Sequence, residues 1–115
     1  MTPIQALFQA AIHSNTSASD IRSLLRQGVN VNARTEDGLT SLMSATMFLN
    51  RECVQFLIDA GAIVNAKPHD DFADGKTALL IAVSNTINDF GVIQVLIDAG
   101  ADLNVADKYG RTALM

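Results

Sequence analysis

Apolar residues recur at helical spacing through most of the chain, in pairs of short stretches. Residues three or four positions apart share one face of a helix, so this spacing predicts amphipathic helices with one apolar side. We expect the apolar sides to face the interior and the neighbouring pair of helices. Eight positions carry the pattern in the middle of the chain: Leu42, Ala45, Val54, Leu57, Leu79, Ala82, Ile93 and Leu96. The predicted helices cover residues 4–13, 20–27, 41–48, 51–60, 78–84 and 92–99.

Two short phrases repeat in step with this pattern. One closes each pair of helices and reads LLRQGVNVN at 24–32, LIDAGAIVN at 57–65 and LIDAGADLN at 96–104. Its glycine stands where a chain leaving a helix turns left-handed, a conformation that glycine adopts without strain. The other phrase opens each pair at residues 5, 40, 77 and 112, so the successive steps are 35, 37 and 35 residues. Repetition with a period of about 20–50 residues predicts stacked units that bury their faces on one another.

These phrases resemble the ankyrin repeat, whose first helix opens with Thr-Pro-Leu-His and whose unit of about 33 residues ends with Gly-Ala-x-Val-Asn. The resemblance covers the whole chain. It implies an all-α solenoid of about three helix-loop-helix units joined by β-hairpin fingers, with an incomplete fourth unit. We expect a single ankyrin repeat domain over residues 1–115, with units near 1–33, 34–66, 67–105 and 106–115. The segments between units are named the first, second and third connectors, residues 33–40, 66–77 and 105–112.

The chain departs from the family pattern in three places. Phe8, Met43, Leu80 and Met115 replace the family's histidine, so we expect the polar tie between turn and helix to be lost and apolar packing to substitute. The second connector carries an excess of about four residues near 68–73, and we expect it to be more mobile than its neighbours because little burial opposes its chain entropy. The fourth unit ends within its first helix. We therefore expect this chain to leave the downstream face of the third unit uncovered. Either a longer protein has been cut here, or another molecule covers that face, and that molecule can be a second copy of this chain.

Composition narrows the classes of partner. The net charge is −4, from 8 basic and 12 acidic residues, and no run of lysine and arginine occurs. Nucleic acids and anionic membranes both attract clustered positive charge, so we expect neither to be a partner. We also expect no membrane span and no signal peptide. The single cysteine, Cys53, excludes an internal disulfide and favours a reducing, cytoplasmic location, and we expect its side chain to be a buried packing residue.

One segment has the composition of a metal site. HDDFADG at 69–75 resembles a calcium-binding loop, but with Gly75 as the loop glycine two ligand positions fall on Phe72 and Ile81. No phosphate-binding loop and no catalytic motif is present. We therefore expect no metal, no cofactor and no enzymatic activity.

The ankyrin resemblance implies a protein partner, bound by the fingers and by the concave side of the first helices. We expect a non-catalytic protein-protein interaction module, or scaffold. The alternative is a docking or regulatory segment of a larger enzyme or effector. The positions that the resemblance marks for partner binding are Glu36, Asp37, Leu39, Met47, Phe48, Ala73, Asp74, Lys76, Ser84, Asn85, Lys108, Tyr109 and Arg111.

Three of these positions are apolar where exposure is expected: Leu39, Met47 and Phe48. Exposed apolar groups can anchor an interface. The other interpretation is that Met47 and Phe48 fill space left by the missing histidine and by the glycine that the family prefers where this chain has Leu49. Charge also differs along the surface, because Glu36 and Asp37 make the first connector acidic while the third connector is basic.

Overall fold

The computed structural model describes residues 18–35, 38–48, 51–68, 75–84 and 90–112, with side chains from residue 22 onward. Five helices lie in these ranges: α1 (Ala18–Arg26), α2 (Ser41–Met47), α3 (Arg51–Asp59), α4 (Ala78–Ser84) and α5 (Phe90–Asp98). They confirm five of the six predicted helices, with ends shifted by two residues or fewer. The helix predicted at 4–13 lies outside the described residues.

A left-handed glycine ends the second helix of each unit, as the repeated phrase predicts. Gly61 and Gly100 have φ angles of 98° and 93°. At the first of these turns the Gly61 amide donates to the Ile58 carbonyl at 3.0 Å, and the Ala62 amide donates to the Leu57 carbonyl at 2.9 Å. The turn at Gly100 repeats both bonds. They satisfy carbonyls that the end of a helix would otherwise leave without a partner.

The helices pack in two layers. α2 and α4 lie side by side in one layer, while α3 packs against both α1 and α5 in the other. The core fills the space between the layers, and seven of the eight predicted interior positions are at most 1% exposed. The eighth prediction was wrong in detail, because Ile93 is half-buried and its neighbour Val92 is fully buried. Among the described helices α5 has a neighbour in its layer on one side only, which leaves Ile93 with less cover.

The polar tie at the start of α2 is kept in an altered form. The Thr40 hydroxyl accepts a hydrogen bond from the Met43 amide at 3.2 Å, and the Thr40 amide donates to the Met43 sulfur at 3.5 Å. The Ser41 hydroxyl donates to the Val31 carbonyl at 3.0 Å and joins the helix to the preceding loop. The expectation that apolar packing would replace this tie is therefore wrong for α2, because a thioether sulfur is a weak acceptor that stands in for the histidine.

The asparagine that ends the repeated phrase joins each unit to the next. Asn65 Nδ2 donates to the Gly100 carbonyl at 3.2 Å, and Asn65 Oδ1 accepts from the Asp102 amide at 2.7 Å. Asn32 makes the same two bonds with the corresponding groups of unit two, at 3.3 and 2.8 Å. We name each such pair of bonds an asparagine clasp.

A basic residue two positions after each clasp reaches the following connector. Arg34 Nη1 donates to the carbonyls of Gly38 and Lys67. Lys67 Nζ in turn donates to the Ala106 carbonyl at 3.0 Å. These bonds hold successive connectors side by side, and so fix the third connector relative to the second.

The first and third connectors turn back on themselves. An isolated antiparallel bridge pairs Arg34 with Thr40, and the Asp107 amide donates to the Arg111 carbonyl at 2.8 Å. No strand occurs in the described ranges, and the all-α repeat class is confirmed. The β-hairpin fingers and the number of units stay predictions. The mobility predicted for the second connector concerns residues 68–74, of which residues 69–74 lie outside the described part of the chain.

Candidate partner-binding groove

A groove of about 400 Å³ lies between α4 and the second and third connectors. Buried Leu80 and half-buried Val83 supply its apolar lining from α4. Lys76 enters from the second connector, and Arg111 and Thr112 enter from the third. Ligand sites typically measure about 300–1,000 Å³ and combine an apolar lining with a few polar groups. The groove therefore has the size of a binding site for a few side chains, with a lining that is mostly polar.

Asp107 holds the third connector in shape. Its Oδ1 accepts from the amides of Tyr109 at 2.8 Å and Arg111 at 3.0 Å, and its Oδ2 pairs with Arg111 Nε at 2.8 Å. The side chain is 2% exposed. Burial opposes the ionised carboxylate, but the two amides and the guanidinium favour it more strongly, so the pKa of Asp107 lies below its ordinary value. The carboxylate is thus ionised at neutral pH and fully occupied by its own connector.

The ring of Tyr109, next to the groove, is in contact with two cations. The Lys108 ammonium is 5.1 Å from the ring centroid, and the Arg111 guanidinium carbon is 4.8 Å from it. Cations at such distances are attracted to the face of an aromatic ring. The ring itself remains 62% exposed. Arg111 is therefore held both by a carboxylate and by a ring, while a large aromatic surface stays open.

The second and third connectors approach closely at Gly75. Its φ angle is 71°, and a Cβ placed there would lie 3.5 Å from the Lys108 amide nitrogen. That distance is ordinary van der Waals contact, so the positive φ is what calls for glycine at this position. The approach brings the backbone of Lys108 next to the residue that precedes Lys76.

The second and third connectors contain equal numbers of basic and acidic residues. Four of the chain's 8 basic residues belong to the second and third connectors: Lys67, Lys76, Lys108 and Arg111. The described carboxylate in these connectors is Asp107, which Arg111 neutralises. Asp70, Asp71 and Asp74 of the second connector lie outside the described residues.

The structure brings some of the marked residues together and separates others. Lys76, Ser84 and Arg111 line the groove, with Lys108 and Tyr109 beside it. Five marked residues lie outside the described ranges: Glu36, Asp37, Ala73, Asp74 and Asn85. The remaining three, Leu39, Met47 and Phe48, belong to unit two.

The exposure of the apolar residues in unit two bears on their two interpretations. Leu39 is half-buried, Met47 is 40% exposed and Phe48 is 59% exposed. Side chains that filled interior space would be nearly inaccessible, as Leu42 is at 1%. The space-filling interpretation therefore does not account for Phe48, and its role in binding stays a prediction.

Sequence reasoning missed four residues of the groove. Leu80 and Val83 read as part of an apolar helix, while Thr112 read only as a helix start. For Asp107 a signal was available, since aspartate three residues before a glycine is typical of a turn, and Gly110 has a φ angle of 79°. Its three bonds depend on the folded shape of the connector.

The described residues contain neither a cluster of metal-binding side chains nor a membrane-spanning helix. No group of three or more histidine, cysteine, aspartate or glutamate side chains in the described ranges is placed to hold a metal ion. No helix in that part of the chain is long and apolar enough to cross a membrane.

Comparison with known proteins bears directly on this repeated architecture. A family model described as Ankyrin repeats (3 copies) matches residues 2–68, and a second, described as Ankyrin repeat, matches residues 74–108. Together the two matches cover most of the chain.

Curated relatives come from a virus, a bacterium and an animal. Ankyrin repeat protein FPV031 of Fowlpox virus (strain NVSL) is 33% identical over 96 residues, which are 82% of this chain and 27% of that protein. Ankyrin repeat protein YahD of Escherichia coli (strain K12) is 30% identical over 94 residues, 82% of this chain and 44% of that protein. Ankyrin repeat and SOCS box protein 6 of Homo sapiens is 34% identical over 113 residues, 96% of this chain and 25% of that protein.

The chain spans less than half the length of each of these relatives. The segments that the two family models match contain the glycine turns and the asparagine clasps. Because the first model alone matches more than half of the chain and the second matches a further segment, the chain belongs to the ankyrin repeat family.

Proposed function

We propose that the chain is a non-catalytic protein-protein interaction module that binds a protein partner through its connectors and the concave side of its first helices. Ankyrin repeats generally serve as such modules. The groove is the observation that carries the proposal. Lys76, Ser84 and Arg111 come from three separate segments and line one concavity beside the exposed ring of Tyr109. Tyrosine and arginine are the residue types that most often contribute large shares of binding energy at interfaces.

The end of α2 supports the same proposal. Met47 and Phe48 are exposed apolar side chains next to a helix whose first six residues are buried. Apolar groups on a surface that is otherwise polar mark contact sites for other proteins. A partner that covered both α2 and the groove would bury side chains from two successive units.

Photo-crosslinking tests which side of the molecule the partner meets. A photo-reactive amino acid replaces Ser84 in the groove or, as a control, Gln94, which is exposed on α5 in the other layer. We expect Ser84 to crosslink a protein from extracts of the source cells, with the crosslinked peptide identified by mass spectrometry. We expect none from Gln94. Crosslinks that form from Gln94 and not from Ser84 would refute the proposed binding side.

A second experiment tests the apolar anchor. Met47→Ala with Phe48→Ala removes two exposed side chains, so stability should change little. The dissociation rate of the crosslinked partner should rise, because buried anchors mainly set how long a complex lasts. Unchanged dissociation would remove Met47 and Phe48 from the interface.

The alternative is that the chain is the docking or regulatory segment of a larger enzyme or effector. The supporting observation is that the chain spans only 25–44% of the length of the relatives named above. Sequencing of the complete transcript decides between the two proposals. An open reading frame that encodes a further catalytic domain favours the segment, while one that encodes repeats alone favours the module.

Further parts of the proposal concern other associations and location. We propose self-association through the downstream face of unit three, supported by the 40% exposure of Ile97 and the half-burial of Ile93. Sedimentation that does not change with concentration would exclude it. We also propose that the module is a cytoplasmic scaffold, which cell fractionation would check. The net charge of −4 supports the further proposal that it binds neither nucleic acid nor membrane.

A further inference from the structure

The two ends of the stack carry complementary halves of one asparagine clasp. Asn32 and Asn65 each bind a glycine carbonyl of the next unit and the second amide beyond that glycine. Asn104 occupies the same place after α5, is exposed, and clasps no following unit in the described ranges. At the other end, Gly28 and Asn30 present the same carbonyl and amide, and no asparagine in the described part of the chain reaches them.

The two end units also differ in charge. Residues 1–33 contain two arginines and one aspartate, a net charge of +1, whereas residues 78–104 contain three aspartates and no basic residue, a net charge of −3. The third connector adds +1, which leaves unit three and that connector together at −2. At one exposed position of the repeat, unit one has Arg26 where the later units have Asp59 and Asp98. A unit one stacked on unit three would therefore bring opposite charges together.

An apolar stripe runs along the downstream side of α5. Phe90 is 80% exposed, Ile93 is half-buried and Ile97 is 40% exposed. Their spacing of three and four residues places them on one side of the helix. In unit two the equivalent Val54 is fully buried, because α5 packs against α3 there. The stripe is thus the surface on which the second helix of another unit would pack.

The first unit fits this surface less closely than a middle unit would. Inside the chain, the Arg22 guanidinium of unit one lies 5.2 Å from the centroid of the Phe56 ring of unit two. In a stack of two copies the equivalent residues are Gln94 and Ser23, two polar side chains with less surface to bury. The segment from Thr112 onward repeats the opening phrase of unit one, so it must also give way to the docked copy. Both features make the contact weak and therefore dependent on protein concentration.

We propose that unit one of a second copy docks on the downstream face of unit three, so that its α1 packs along α5 and its Gly28 carbonyl and Asn30 amide are clasped by Asn104. The contact joins two different surfaces, so each copy keeps one end open and the assembly grows as an unclosed chain. This inference rests on the proposed self-association and names the surface of the second copy that takes part. Salt should weaken the contact, because it screens attraction between exposed charges.

Two double variants each block one end of the molecule. Ile97→Ala with Asn104→Ala removes an apolar contact and the clasp, and is named the downstream variant. Ser23→Glu with Gln27→Glu puts two negative charges on the upstream side of unit one, opposite an acidic unit, and is named the upstream variant. All four side chains are exposed, so both variants should stay folded, and thermal melts check this.

Sedimentation equilibrium over a series of concentrations measures the association. The apparent mass of the unchanged chain should rise with concentration past that of two copies. Each variant alone should associate about tenfold more weakly, through the lost clasp or the added repulsion. In an equimolar mixture, the intact downstream end of one variant meets the intact upstream end of the other. We therefore expect the mixture to form a complex of two copies with the affinity of the unchanged chain, and to grow no further.

Three outcomes would overturn the inference. An upstream variant that associates alone as tightly as the unchanged chain would show that two downstream faces meet each other, and self-association itself would stand. A mixture that associates no better than the separate variants would show that the two ends are not complementary. A mass that stays constant for the unchanged chain up to its solubility limit would exclude both this contact and the proposed self-association. Crosslinking from Ser84 judges the binding of other proteins separately.

Discussion

Units two and three carry the same pattern of residues but differ in how deeply they are buried. Val54 in α3 is 0% exposed, whereas Ile93 at the equivalent position of α5 is half-buried. Ile58 is half-buried, whereas its equivalent Ile97 is 40% exposed. The reason lies in the neighbours, because α3 has a helix on both sides in its layer and α5 has one described neighbour. An apolar pattern therefore gives the capacity for burial, and the adjacent units decide how much of it is realised.

The largest loss of unfolding free energy is expected when the equivalent leucine of either unit, Leu57 or Leu96, is replaced by alanine. Leu57→Ala and Leu96→Ala each remove a side chain that is 0% exposed, and each should lower the free energy of unfolding by roughly 2–5 kcal/mol. The loss for Leu57→Ala should lie nearer the upper value, because its helix is enclosed on both sides. Urea unfolding measures both, with Ile63→Ala, at a side chain that is 58% exposed, as the control. Almost no change for either leucine would mean that the assigned helix register is wrong.

Substitution of Val54 and of its equivalent Ile93 should differ most in the free energy of unfolding that is lost. Val54→Ala should cost about 2 kcal/mol, because it leaves a space between packed helices. Ile93→Ala removes more atoms but should cost only about 1 kcal/mol, because part of the side chain is already in water. Urea melts under identical conditions give the difference. A larger cost at Ile93 would show that a covering partner or segment is present in solution.

The asparagine clasps provide a third comparison. Asn65→Ala removes two hydrogen bonds to unit three and should cost about 0.5–1.5 kcal/mol. Asn104 occupies the equivalent place after α5, and in the described residues its side chain makes no such bond to a following unit. Asn104→Ala should therefore change the free energy of unfolding by less than about 0.5 kcal/mol. Equal costs at the two positions would contradict the clasp as the source of the stabilisation.

The smallest effect at neutral pH is expected at Cys53. Burial raises the pKa of its thiol from an ordinary value of 9.0 to about 11. The folded state then holds this proton more tightly than the unfolded state does. Its contribution to stability is complete below pH 9 and is lost as the pH rises towards about 11.

Unit three supplies the control for Cys53, because the equivalent residue there is Val92, which is also 0% exposed. Cys53→Val should leave the free energy of unfolding nearly unchanged at pH 7. It should remove the share of the fall in that free energy between pH 9 and about 11 that the thiol causes. The difference between the two urea series isolates the contribution of the thiol, because the two proteins differ only at this residue. Identical pH profiles would mean that the thiol does not titrate as a buried group. Thiol reagents should also label native Cys53 slowly, since only the thiolate reacts.

Much of the fold follows from local rules that can be read in the sequence. The glycine phrase predicts the left-handed turn at Gly61, and the turn in the structure has both bonds expected of it. The burial of Cys53 is confirmed for the same reason, because its helical position fixes the side that it faces. Ile93 was mispredicted because its burial depends on a neighbouring unit and not on its own helix.

The candidate site was less accessible to sequence reasoning. Lys76, Ser84 and Arg111 were marked through the family resemblance, and the structure adds that they share one groove. Val83 could not be recognised, since an apolar residue on an apolar helix gives no sign that it borders a concavity. The order of Arg111 depends on Asp107, whose partners are backbone amides that only the folded connector brings within reach.

The asparagine clasps have a mechanical consequence. Each clasp joins only adjacent units, so tension applied along the stack passes through the clasps one after another. Links in series carry the same load, and the chain opens first at the weakest of them. The basic side chains that reinforce the first two junctions, Arg34 and Lys67, have Ala106 as their counterpart after unit three. We therefore expect tension to detach the units one after another, beginning at the junction with the fewest ties, whereas a globular domain unfolds as a single unit.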